Sequence, residues 1–134
     1  MCGIVGFCDP TTHRAAEALN LLLAKLQNRG PQGAGAVTYD HDGQIHELLG
    51  TGSVETVFDG RNKLESLPGY LGVGQVRYAT FGHTIQPLVW MQHGKHAALT
   101  HNGEFSNAIT LRKEAEETWG YQFQSTSDTE TLIP

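Results

Sequence analysis

Positive charge is in short supply in this chain. Nine lysines and arginines face fourteen aspartates and glutamates, a formal net charge of −5 with histidine neutral, and no basic stripe gathers on any segment. Without such a stripe a phosphate backbone has nothing to neutralise it, so no nucleic-acid partner is expected. Long apolar runs are missing too, none approaching the roughly 20 residues needed to cross a bilayer. The N-terminus lacks a secretory signal pattern. The expectation is no membrane partner and a cytoplasmic location. Cysteine is limited to Cys2 and Cys8. Two cysteines make no disulfide scaffold, and they are too few for a four-cysteine zinc or iron–sulfur site. Internal repeats, low-complexity tracts and linkers are also absent, and 134 residues fit one domain at most.

Glycine, by contrast, is plentiful, with 16 residues clustered around polar motifs. Gly3–Phe7 reads as a short buried strand. From about Arg14 to Asn28, Leu19, Leu22, Leu23 and Leu26 recur at helical spacing, and Gly30-Pro31 ends the helix. Arg29–Gly35 reads as a glycine-rich loop, without the lysine or the spacing of a phosphate cradle. Ala36–Tyr39 and Ile45–Leu49 flank Asp42-Gly43, a hairpin signal. Residues 50–68 are irregular, with helical turns near Val57 and Leu64. Tyr70–Tyr78 reads as a strand, followed by a loop over Phe81–Gln86. Pro87–Met91 and Ala97–Thr100 read as strands joined across His93-Gly94-Lys95. A helix capped by Ser106 or Asn107 should run to about Trp119 and stop at Gly120. Tyr121–Gln124 reads as a short strand. Ser127 and Glu130 have capping-box spacing, announcing a helix of which only four further residues follow.

The opening Met1-Cys2-Gly3-Ile4-Val5-Gly6 permits two readings. In one, Cys2 is a small buried side chain at the start of an edge strand, a common role for free cysteine. In the other, Met1 is removed and Cys2 carries both a thiol and an α-amine. Such an amine has a pKa of roughly 7.7–8.0 and can take the thiol proton, so one residue supplies nucleophile and base. The strand alone favours the first reading; chemistry needs partners elsewhere.

Partners are on offer at several strand ends and helix starts. Arg77 presents a planar donor fork suited to a carboxylate, or to a surface salt bridge. Asn102-Gly103 can form an ordinary turn, or set a side-chain amide and an unhindered backbone N–H side by side for an oxyanion. Asp128 suits an ammonium group or a helix cap. His93, His96 and His101 match no zinc spacing and are expected to be solvated turn residues, so no metal or other cofactor is expected. A histidine base for Cys2 ranks below the amine, because spacing singles out none of the seven.

Taken together and in order, Met-Cys-Gly-Ile-Val-Gly, Asn-Arg-Gly-Pro-Gln-Gly-Ala-Gly, Gly-Gln-Val-Arg-Tyr-Ala-Thr, His-Asn-Gly-Glu-Phe-Ser-Asn and Ser-Asp-Thr-Glu span the chain. This set resembles the class II, N-terminal-nucleophile glutamine amidotransferase domain. Gln86-Pro87, His93-Gly94-Lys95, Asn107-Ala108 and Leu111-Arg112-Lys113 make it most similar to the amidophosphoribosyltransferase branch, as does Arg77-Tyr78 against the Arg-Trp pair of glucosamine-phosphate synthase. Pro31-Gln32 departs from the Gln-Asp or Gln-Glu pair usual in that branch.

The resemblance implies roles by position. Cys2 matches the nucleophile, with its own amine as base. Asn102 and Gly103 match the oxyanion hole. Arg77 and Thr80 match the groups holding the glutamine α-carboxylate, and Asp128 the partner of the α-ammonium. Arg29 is expected to brace the chain near the thiol. The implied fold is α+β, an αββα four-layer sandwich present in its first part: residues 1–134 as a partial glutamine amidotransferase domain, the phosphoribosyltransferase domain absent. The implied activity is glutamine hydrolysis through a cysteine thioester, releasing ammonia to an acceptor domain or subunit outside the chain, as in the first committed step of purine synthesis. The alternatives are ammonia supply to a different synthase, and an inactive glutamine-binding fragment. A homo-oligomer is expected for a full-length enzyme of this kind.

Overall fold

The computed structural model describes residues 1–78, 84–92 and 94–134. Its main sheet holds four antiparallel strands in the order β1–β4–β2–β3: β1 is Gly3–Cys8, β2 Gly33–Tyr39, β3 Ile45–Thr51 and β4 Leu71–Arg77. Helix α1, Ala15–Lys25, lies on one face of this sheet, and a 3-10 turn at Gln27–Arg29 follows it. The short helices α2, Val54–Val57, and α3, Arg61–Glu65, occupy the two places where helical turns are expected. A second sheet consists of β5, Leu88–Gln92, and β6, Lys95–Leu99. Helix α4, Ala108–Trp119, packs on a C-terminal 3-10 turn, Asp128–Leu132.

Side-chain alternation in β4 explains the layering. Gly72, Gly74 and Val76 face α1, and the glycines let the helix settle close to the sheet. A Cβ on Gly72 would stand 2.7 Å from Leu19 Cδ1, and one on Gly74 would stand 2.9 Å from Leu23 Cδ1. Leu19, Leu23, Ala34, Ala36 and Val76 are each 0% exposed in the resulting core. Burying a leucine this fully contributes about 1.5–3 kcal/mol. Leu22, expected on the same apolar stripe, is instead 40% exposed at its flank. The alternate residues of β4, Gln75 and Arg77, face the opposite side, over which the second sheet and its flanking loops lie. Tyr39 Oη donates to the His96 carbonyl at 3.1 Å, and Gly35 sits directly against the Gln86 carbonyl. Helices, four-stranded sheet and two-stranded sheet thus form successive layers of an α+β fold.

Three local expectations are corrected. Gly33–Gly35 is not loop but the buried start of β2, paired with Thr51–Leu49 on one side and Arg77–Gln75 on the other. Tyr121–Gln124 is not a strand. The backbone N–H groups of Gln124 and Ser125 donate to the Glu130 carboxylate, each at 2.7 Å, in place of a strand partner. That same commitment stops Glu130 from closing a capping box. Ser127 still caps the turn, its Oγ accepting from Thr129 N, but the turn is 3-10. Asn107 occupies the cap position of α4 without a side-chain cap bond, and Gly120 ends the helix in the left-handed conformation at φ 64°.

Candidate active site

The register of β1 determines where Cys2 stands. Gly3 pairs with Val76 and Ile4 with Gln75, so Cys2, one residue before the strand, shares the face of Gln75 and Arg77. Its side chain is half-buried, with Sγ 3.4 Å from the Tyr78 backbone N–H, which donates to it. The Cys2 thiol in turn lies 3.7 Å from the Tyr78 carbonyl, to which it donates. Arg29 Nε donates to the Cys2 carbonyl at 3.2 Å, the contact a brace makes, and Arg29 Nη2 lies 3.9 Å from Met1 Sδ. Met1 itself is 78% exposed.

Gly30 explains how Arg77 is brought close. A Cβ at Gly30 would lie 2.5–2.6 Å from the Arg77 backbone, so only glycine lets the turn after α1 rest on the end of β4. Arg77 is half-buried there. It shares with Cys2, Gly103 and Asp128 the lining of one cavity of about 520 Å³, together with Gln75, Gln86, His101 and Phe105. Four sequence-predicted residues from widely separated motifs therefore converge. Asn102 does not line this cavity and is exposed, although its neighbour Gly103 does. Thr80 lies outside the described residues, as does His93. Among the described residues no group of three or more His, Cys, Asp or Glu side chains converges as metal ligands.

Asp128 is not the cap, one of the two roles that its sequence leaves open. It is the first residue of the 3-10 turn, but Ser127 provides the cap. Its Oδ2 accepts the Phe105 N–H at 2.8 Å, tying the turn to the loop that carries Gly103. Phe105 in turn stacks on the His101 ring, centroids 4.7 Å apart. A Cβ at Gly103 would meet His101 Nε2 at 2.7 Å, so this loop also depends on glycine.

The cavity walls include buried polar groups that sequence reading overlooked. Gln75 is 2% exposed and Gln86 7%, and Gln86 bonds to Thr129, 0% exposed, which lies outside the lining. The one available signal was a glutamine in the middle of a strand whose other residues, apart from the terminal Arg77, are glycine, leucine and valine. Below the cavity Glu130, 3% exposed, accepts from Gln124 N, Ser125 N and Ser125 Oγ. Burial pushes its carboxyl up, but the hydrogen bonds from Ser125 and Gln124 and the nearby Arg112 charge outweigh it, leaving it below the ordinary glutamate value. Burial first, and the Glu130 charge second, push the Tyr121 phenol up. Arg112 Nη2 donates to the carbonyls of Ser125 (2.8 Å) and Ser127 (2.7 Å) and lies over the Phe123 ring.

The chain is also similar to known proteins along nearly its whole length. The family profile described as a glutamine amidotransferase domain matches residues 76–134. The amidophosphoribosyltransferase of Lacticaseibacillus casei is 40% identical over 98% of this chain, which covers 68% of that protein. The chloroplastic amidophosphoribosyltransferase of Vigna aconitifolia is 41% identical over 98% of the chain, but the chain spans only 27% of its length. Among solved structures, the B. subtilis glutamine phosphoribosylpyrophosphate amidotransferase complexed with ADP and GMP superposes with a TM-score of 0.86 at 34% identity. That match covers 99% of this chain and 28% of the larger one. Fold and site thus define a glutamine amidotransferase domain. More particularly, the chain belongs to the amidophosphoribosyltransferase family.

Proposed function

We propose that this domain hydrolyses L-glutamine to glutamate and ammonia through a thioester on Cys2. The observation that carries this reading is the single cavity shared by Cys2, Arg77, Gly103 and Asp128. Arg77 takes the substrate α-carboxylate and Asp128 the α-ammonium, which aims the side-chain amide at the sulfur. Thr80 joins Arg77 at the carboxylate. Holding the reacting atoms at attack distance supplies a large share of the rate.

The chemistry follows from that pose. Removal of the exposed Met1 bares the Cys2 amine, which takes the thiol proton. The thiolate adds to the amide carbon, and the Gly103 N–H with the Asn102 side chain receives the oxyanion. This role requires Asn102 to turn inward when substrate binds. Collapse breaks the C–N bond, the ammonium returns its proton to the departing ammonia, and water then clears the thioester.

Within a full-length enzyme the ammonia would pass to a phosphoribosyl acceptor in purine synthesis, in the cytoplasm and in a homo-oligomeric assembly. The test is ammonia and glutamate release from glutamine by the wild-type chain and by Cys2→Ser. Equal, stoichiometric products from wild type and none from the variant are expected; equal rates in both would overturn the reading.

A further inference from the structure

We propose that Gln86, assisted by Gln75, is the positioning residue that sets the oxyanion donor and the ammonium acceptor relative to each other. This rests on the glutaminase reading above. His101 lies just past the end of β6, so ladder pairing no longer holds its backbone. Two carboxamides take over. Gln75 Nε2 donates to the His101 carbonyl at 2.8 Å, and the His101 N–H donates to Gln86 Oε1 at 2.7 Å. Gln75 Nε2 also donates to Gln86 Oε1 at 3.2 Å, so that oxygen accepts twice. On its other side Gln86 Nε2 donates to Thr129 Oγ1 at 2.8 Å and approaches Ser127 Oγ at 3.5 Å.

The orientation of each amide follows from its neighbours. Reversing Gln86 would set its NH₂ against the His101 N–H, and reversing Gln75 would set its oxygen against the His101 carbonyl. Gln86 therefore bridges the residue two before Gly103 and the residue one after Asp128. Phe105 N to Asp128 Oδ2 closes the same pair of loops at the cavity. The bridge is buried, where an unpaired partner costs far more than at the surface.

Gln86→Met keeps side-chain length and removes every bond that the Gln86 carboxamide makes, leaving Gln75 on the His101 carbonyl. Thr129→Val keeps shape and removes the hydroxyl, whereas Thr129→Ser retains it. In the full chain, at a temperature where each variant is folded, Gln86→Met should lose kcat/KM for glutamine by about 100-fold, the scale of a misplacement near 1 Å. The loss should divide between lower kcat and higher KM, because both loops shift. Thr129→Val should show a smaller loss of the same kind, and Thr129→Ser should restore most of it. Amide hydrogen exchange should quicken at residues 101–105 and 127–129 in Gln86→Met and Thr129→Val, with the β1–β4–β2 ladder unchanged.

Wild-type kcat and KM in folded Gln86→Met would overturn the proposal. If that variant does not fold, wild-type kinetics in Thr129→Val would do the same. A wild-type chain with no glutaminase activity would instead defeat the functional reading. The exchange data then decide the bridge: unchanged exchange in both loops would overturn it.

Discussion

In residues 3–77 the buried side chains are mostly apolar, with Leu19, Leu23, Val37 and Val76 at 0% exposure around a four-stranded sheet. Among the described residues of 84–134 the buried apolar side chains are reduced to Pro87 and Ala115, and Gln86, Thr129 and Glu130 are buried instead. The first region is held by apolar burial, which is strong and non-directional. The second is held by hydrogen bonds, each worth little net but costly to break, and each dependent on direction. The cavity lies on the seam. Cys2 and Arg77 stand on the apolar region, while Gly103 and Asp128 stand on the polar one. Under the proposed mechanism the attacking atom would have the rigid support, and the groups that receive charge the directional one.

Substitutions can break this division, and the largest effect should come from the apolar side. Leu19→Ala should destabilise the chain by about 3 kcal/mol or more, measured by urea denaturation, because it empties a fully buried site. Its KM for glutamine, measured where the variant is folded, should stay near the wild-type value; a large change would show that the two regions are not separable. Arg77→Ala acts at the seam. It should raise the KM for glutamine by roughly 100-fold, as expected for losing a charge-assisted pair, and should leave the denaturation midpoint much less affected. An unchanged KM would remove Arg77 from the substrate.

A subtler effect belongs to the polar side. Glu130 has a folded pKa below its ordinary value of 4.5. Its contribution to stability is therefore complete above that value and fades as pH falls through the folded pKa. Acid unfolding followed by fluorescence should begin at higher pH for wild type than for Glu130→Gln, once each curve is referred to its own neutral-pH stability. Coincident curves would mean that this carboxylate does not hold the turn. The smallest effect should be at the exposed Arg61–Glu65 pair, where Arg61→Ala should leave the melting temperature within experimental scatter.

Much of the first region is legible in the sequence because its signals are local. Helical leucine spacing, an Asp-Gly hairpin and two short helical turns all involve residues a few positions apart. The glycine-rich stretch misleads because its glycines serve packing rather than turning. Gly30 lies against Arg77 and Gly35 against Gln86, partners 47 and 51 positions away by numbering, and no local rule foresees them. The second region is harder to read for the same reason. Gln124 and Ser125 satisfy their N–H groups on Glu130, which removes an expected strand, and Gln75, Gln86 and Thr129 meet only after folding. The site residues were legible as separate motifs: Cys2, Arg77, Gly103 and Asp128 do share a cavity, whereas the side chain beside Gly103 stands outside it.

The claim on which the rest depends is that one cysteine, freed of its methionine, is the nucleophile in that cavity. Intact-mass spectrometry after exposure to a glutamine-like diazoketone tests it most directly. The account predicts a mass lacking Met1 and carrying a single adduct, mapped to Cys2 with Cys8 unmodified and prevented by excess glutamine. Met1 retained on the labelled chain, or an adduct on Cys8 that glutamine does not prevent, would contradict it.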